Sequence, residues 1–300
     1  MKTKNDLEKN HCRYYKIAGI TIQVHSDLPI TDKTFHPKFR LFEVQEPGKD
    51  NISLRHHFYL PDLNEKDLGE EVYRRTPWAI YRKNGSWIYV GISDNKRNNR
   101  IHQVAVFNHD HTRPVIYNSE DRAFRRGGLH SLTLFPTDQI LLARILADKK
   151  GCCLHSSGVI FDGKGLLFVG HSEAGKSTMV KMLKDKAKIL CDDRMIVRRW
   201  EDGFRIHGTW SHGEVPDVSP ASAPLKAILF LHKDGENRLV QHNSKRDAVS
   251  KLLPCLVKPL VTADWWEKTL ALVEMIVGEV PCYSLCFDKT GRVEDVLKSL

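Results

Sequence analysis

In the first third of the chain, apolar residues recur in short runs close to every second position: ITIQV (20–24), FRLFEV (39–44), WAIYRK (78–83), SWIYVGI (86–92), HQVAVF (102–107) and PVIYN (114–118). These runs are rich in β-branched and aromatic side chains and bounded by turn residues, which predicts strands. Asn84-Gly85 between two of them predicts a tight hairpin, because both central residues of that turn need positive φ. From Pro136 to Lys149 the period becomes helical, with Ile140, Leu141, Ile145 and Leu146 on one stripe and Thr137 or Asp138 as cap. Beyond it the texture alternates. SGVIF and LLFV flank an Asp162-Gly163-Lys164-Gly165 turn, a helix runs to about Asp185, AKILC reads as a strand, and RMIVRRW with FRIHG reads as a hairpin. KAILFLH predicts a strand and Ser244–Leu256 a helix interrupted by Pro254. Asp264–Val277 predicts a helix, CYSLCF a strand and Val293–Leu300 a short helix. The pattern predicts an α/β protein: a mostly β N-terminal domain over residues 1–135, then a domain of mixed sheet and helices over 136–300.

The second half carries one strong motif. Gly170-His171-Ser172-Glu173-Ala174-Gly175-Lys176-Ser177 fits G-x-x-x-x-G-K-[ST] without mismatch, with an apolar strand before it and a helix after it, and Thr178 continues the pattern. Such a loop folds its backbone amides around phosphates, with the lysine reaching the outer ones and the hydroxyl on Mg²⁺. Glu173 is the unusual residue, a carboxylate within a loop meant for anions. The strand entering the loop reads as the second arm of a hairpin, which predicts a mixed or antiparallel sheet beneath the site.

One helix and one strand later, ILC ends in Asp192-Asp193. Mg-nucleotide chemistry needs a carboxylate for the metal and a base for an attacking hydroxyl. His155 lies just upstream of the hairpin, and GTWSHGE offers His212 and Glu214 as a further polar loop. Elsewhere, His109-Asp110-His111 lacks a third ligand at a telling spacing, and Cys282 and Cys286 read as strand core.

Composition narrows the classes. Hydrophobic residues make up 41% of 300 residues, enough to bury a core, and the apolar runs are too short to span a bilayer. Seven cysteines, two of them adjacent, fit a reducing compartment, so a cytoplasmic protein without a membrane partner is expected. The net charge of +9 comes from scattered basic pairs without a nucleic-acid module, so no nucleic-acid partner is expected.

Taken in order, LHSSGV, the hairpin, GHSEAGKST, CDDR and HGTWSHGE resemble the catalytic domain of the HPr kinase/phosphorylase family, whose fold is related to phosphoenolpyruvate carboxykinases. The resemblance covers roughly residues 150–290 and points to a divergent member. It implies that Lys176 and Ser177 bind nucleotide and metal, that Asp192 and Asp193 supply the base and help place the metal, and that His155 supports the base. Asp192 is favoured as base, with Ser177, Asp193 and Glu214 as metal ligands. The family's glycine-rich signature, resembling RGLGIINVRD, is replaced here by HGTWSHGEVPD, and the N-terminal half is unlike the family's own, so HPr is not the expected acceptor.

The expected function is an ATP- and Mg²⁺-dependent phosphotransferase acting on a hydroxyl, either a serine of a protein or peptide or a small molecule. Another nucleoside triphosphate or pyrophosphate remains open as donor, and self-association is expected. The alternative is a nucleotide-sensing regulator without turnover. A carboxykinase-like reaction with His155 and His212 on Mn²⁺ ranks last.

Overall fold

The computed structural model describes residues 10–62, 67–92, 101–134, 138–260, 264–288, 290 and 292–300. Pro136 and Thr137, expected to open the helix near the middle of the chain, lie outside them. The chain divides into two compact units, Met1–Leu141 with Pro259–Val261, and Leu142–Lys258 with Thr262–Leu300.

The first unit is built on a nine-stranded sheet of β1 (Cys12–Ile17), β2 (Ile20–Ser26), β3 (Glu43–Val44), β4 (Asp50–His57), β5 (Glu70–Arg75), β6 (Trp78–Lys83), β7 (Ser86–Ile92), β8 (Ile101–Phe107) and β9 (Val115–Asn118). Their order is β3-β1-β2-β4-β9-β8-β7-β6-β5. Neighbours pair antiparallel except β2 with β4 and β4 with β9. Asn84 and Gly85 take φ of 49° and 78°, the left-handed pair that the β6–β7 hairpin needs.

FRLFEV departs from its expected strand. Pro37 opens a 3₁₀ helix over Pro37–Phe42, His36 Nδ1 accepts the Lys38 N–H, and only Glu43–Val44 is extended. The three-residue period puts Phe39 and Phe42 into the core, where Phe39 meets Tyr15 and Phe35 edge to face. The alternation that suggests a strand therefore serves a tighter helix. His109-Asp110-His111 is a turn: Asp110 Oδ1 accepts from the Thr112 hydroxyl at 2.6 Å, and the buried His111 ring stacks on Phe107. A short helix, α1 (Arg122–Arg126), follows.

The helix α2 (Gln139–Asp148) leads into the second unit, whose strands are β10 (Gly151–Phe161), β11 (Lys164–Val169), β12 (Lys188–Cys191), β13 (Arg194–Trp200), β14 (Gly203–His207), β15 (Ser222–Lys233), β16 (Arg238–Gln241) and β17 (Cys282–Phe287). The sheet runs β11-β10-β13-β14-β15-β17-β16, with β12 also on β10 and β11 also on β15. Because β11 closes onto β15, five strands form a ring of pairings. The sheet is mixed: β10 and β11 form the antiparallel hairpin, with Asp162 and Gly163 at positive φ, while β15 is parallel to β11 and β17. β16 is absent from the sequence-based expectation, since RLVQ is polar, largely exposed and has no apolar alternation to mark it.

β15 explains the layering. Its AILFL run is buried on both faces, as expected of a strand between parallel neighbours with helices on each side. Ile228 and Phe230 share a core with α4 (Lys245–Leu252) and α5 (Trp265–Glu279), while Leu229 and Leu231 share another with α3 (Lys176–Leu183) and α6 (Val293–Leu297). All seven cysteines are free thiols. No helix among the described residues is long and apolar enough to cross a membrane.

Candidate active site

The strand β11 delivers the chain to Gly170, and the glycine-rich loop turns there into α3. A Cβ on Gly170 would stand 2.5 Å from that of Ala174, so the loop doubles back on itself without room for one. Gly175, at φ 104°, is the N-cap residue just before the helix, and a Cβ there would come within 2.6 Å of the Phe287 ring. Both features demand glycine. Glu173 is in the left-handed region at φ 68° and its side chain is exposed.

Lys176 is buried, and its ammonium donates to the carbonyls of Gly170 at 2.9 Å and His171 at 3.0 Å. Burial pushes its pKa below the ordinary lysine value, against the opposing fields of Cys255, Asp193 and Asp192. One residue on, the Ser177 hydroxyl donates to Asp192 Oδ2 at 3.0 Å.

Asp192 and Asp193 follow β12. Asp192 is 2% exposed and accepts two further bonds from backbone amides, Gly213 at 2.6 Å and Val215 at 2.9 Å. Three donors offset the cost of burying a carboxylate. Asp193 is held differently: its Oδ2 takes the Ser211 hydroxyl at 2.9 Å and the Arg194 guanidinium at 3.0 Å, while Oδ1 faces His155 Nε2 at 3.6 Å. Burial lowers the His155 pKa, aided by Lys176 and Arg194 and opposed by Asp193.

A cavity of about 470 Å³ joins these groups. Among the residues sought from sequence, His155, Ser172, Glu173, Gly175, Lys176, Ser177, Thr178, Asp192, Asp193 and Glu214 line it. Gly170, His171 and Ala174 shape the loop without lining the cavity. Glu214 sits on its rim with its carboxylate paired to Lys181 at 2.8 Å rather than joined to Ser177. His212 is half-buried and outside the lining. Four participants have no role assigned by the motifs: Lys233, whose ammonium donates to the Glu173 carbonyl at 2.7 Å, the Asp193 partners Arg194 and Ser211, and the Gly213 amide. Arg194, Ser211 and Gly213 lie inside CDDR and HGTWSHGE. Lys233 lies outside every motif.

The residues fit a divalent cation of the Mg²⁺ type, for which one hydroxyl and one or two carboxylates suffice when phosphate oxygens and water complete the shell. Ser177 and Asp192 are already in contact. Among the described residues there is no cluster of three or more His, Cys, Asp or Glu that would form an all-protein metal cage.

Fold and site together define a two-unit α/β protein in which a strand, a glycine-rich loop and a helix face a buried, hydroxyl-bonded carboxylate. Residues 137–299 match the model of the family described as SynChlorMet cassette protein ScmC, and the chain belongs to that family. No curated protein sequence matches it. A solved structure titled as the Hpr(Ser) kinase/phosphatase of Coxiella burnetii is similar at 11% identity and a TM-score of 0.30, over 49% of this chain and 88% of that one.

Proposed function

We propose that this protein is an ATP- and Mg²⁺-dependent phosphotransferase that moves a phosphoryl group to a hydroxyl acceptor, a serine of a protein or peptide or a small molecule. The observation that carries this reading is the contact of Ser177, the hydroxyl of the G-x-x-x-x-G-K-[ST] loop, with the buried Asp192, in one cavity with Asp193 and His155. The resemblance of the ordered motifs to HPr kinases supports it.

In this reading the loop amides, the start of α3 and Lys176 hold the phosphates of ATP. Ser177 and Asp192 hold Mg²⁺, which supplies charge neutralisation on the phosphate oxygens. Asp192 is poorly suited to be the base that its place in the motif suggested, because it is buried and saturated by three donors. Asp193 is the better base: Oδ2 is committed to Ser211 and Arg194, which fixes the carboxylate, and Oδ1 is turned to His155. The acceptor O–H gives its proton to Asp193, its oxygen bonds to the terminal phosphorus, and the bond from that phosphorus to the bridging oxygen breaks to release ADP.

A second reading, a nucleotide sensor without turnover, is favoured by one observation. Arg194 and Ser211 occupy Asp193 Oδ2, so the carboxylate that would act as base also belongs to a structural network. The experiment that separates the two follows ³¹P NMR signals of Mg-ATP with the purified protein and a nucleotide-depleted cell extract, beside K176A. Extract-dependent turnover lost in K176A supports the kinase. ATP signals broadened by wild type alone, without turnover, support the sensor.

A further inference from the structure

Lys233 is the last residue of β15, far in sequence from the loop. β15 is parallel to β11 with Val169 opposite Phe230, so when β11 ends and the loop begins, residues 231–233 run alongside it. The C-terminal edge of parallel strands is where open α/β sheets place their ligands. Lys233 reaches that edge with its stem against the loop: its Cε lies 3.2 Å from where a Cβ on Gly175 would be. Its ammonium rests on the Glu173 carbonyl at 2.7 Å and lines the cavity. Among the described residues no carboxylate pairs with it.

The cavity is lined by both signs of charge. Lys176 and Lys233 are both held by loop carbonyls, and the carboxylates of Glu173, Asp192, Asp193 and Glu214 share the lining. A lysine bonded only to a neutral carbonyl keeps its full charge available to an anion arriving within reach. The position of Glu173 acquires a purpose here. Its left-handed backbone presents the carbonyl that holds Lys233, and its own carboxylate is exposed.

We infer that Lys233 is a second phosphate-binding cation of this site, acting with Lys176 on the outer phosphates of a nucleoside di- or triphosphate and making the site selective for polyphosphates over monophosphates. This rests on the phosphotransferase or nucleotide-binding reading above. On binding, the ammonium passes from the Glu173 carbonyl to a phosphate oxygen, exchanging a neutral acceptor for a charged one. A mere loop clamp would affect every ligand of the loop alike, whereas a phosphate cation acts according to phosphate number.

The test uses the full chain and displacement of a fluorescent ATP analogue by Mg-ATP, Mg-ADP and AMP, in wild type, K233M, K233Q and K233R. K233Q retains a donor for the Glu173 carbonyl and loses the charge. The expected result is a weakening of Mg-ATP by about 10- to 100-fold in K233M and K233Q, the scale of a hydrogen bond to a charged group. AMP should change little and K233R should recover most of the loss. Melting of the unliganded variants reports folding, and K233Q carries the comparison if K233M melts early. Wild-type Mg-ATP affinity in a folded K233Q, or equal weakening of all three ligands, overturns the inference. Failure of wild type to bind any of them instead overturns the nucleotide reading itself, and Lys233 with it.

Discussion

Asp192 and Asp193 are neighbours in sequence with opposite surroundings, and that difference makes their variants separable. Asp193→Asn keeps the size and the bond from Ser211 while removing the proton acceptor. Phosphoryl transfer should fall by about 10²- to 10⁴-fold, the usual contribution of a general base, with little change in Mg-ATP affinity. An unchanged rate in single-turnover assays would remove Asp193 from the mechanism. Asp192→Asn should behave otherwise, because its single amide oxygen cannot accept from all of Ser177, Gly213 and Val215 and its NH₂ accepts from none. A buried donor left without an acceptor costs roughly 1–3 kcal/mol. Denaturant unfolding should therefore show a larger loss of stability for Asp192→Asn than for Asp193→Asn, which loses only the partly exposed ion pair with Arg194, and only the former should lose Mg²⁺-dependent nucleotide binding. The motif spacing marks both aspartates as a pair, but the division of labour comes from the loop around Gly213, some twenty residues away, whose amides turn inward to Asp192. No local pattern announces that.

At the scale of elements, the loop between β11 and α3 is legible because its physics is local: glycines where the chain doubles back, a lysine and a serine in the first turn. Gly175 shows how tightly this is set. Gly175→Ala would combine the left-handed backbone with a Cβ 2.6 Å from the Phe287 ring, and the backbone term alone costs roughly 1–2 kcal/mol. The expected outcome is a folded protein, of lower melting temperature, whose nucleotide affinity drops at least tenfold. Unaltered melting and affinity would mean that the loop adapts and that this geometry is not required. Legibility fails where tertiary pairing decides. FRLFEV alternates like a strand, yet Pro37 and the burial of Phe39 and Phe42 make it a 3₁₀ helix. RLVQ has no alternation and becomes β16 because β17 offers it a free edge. Lys233 enters the cavity only through the parallel register of β15 with β11, a pairing between segments sixty residues apart.

On the scale of the whole molecule, each unit contains a buried histidine whose pKa is pushed down by burial, His56 in the first and His207 in the second, and both contribute to how the protein responds to acid. In the first unit His56 is fully buried: its Nε2–H donates to the Leu132 carbonyl at 2.7 Å and its Nδ1 has no partner, so burial pushes its pKa down to about 4. In the second unit His207 Nε2 accepts the indole N–H of Trp200 at 3.1 Å, and burial, followed by the fields of Arg198 and Arg205, also brings its pKa to about 4. A proton on either ring needs a place that the folded state does not provide: an acceptor beside His56 Nδ1, or the lone pair that Trp200 uses on His207. The folded values lie below the ordinary value of 6.5, so the unfolded chain binds more protons and stability falls as pH falls. The contribution is complete above pH 6.5 and is lost progressively between about 6.5 and 4, amounting to roughly 2 kcal/mol per histidine by pH 5. Thermal unfolding followed from pH 7.5 to 5 should show a falling melting temperature. His207→Gln, which keeps an acceptor for Trp200 but does not titrate, should be less stable at pH 7.5 and lose less on acidification than wild type. A wild-type melting temperature that is flat across this window would show that neither histidine is held neutral by the fold, and a slope unaltered by the substitution would remove His207 from the account.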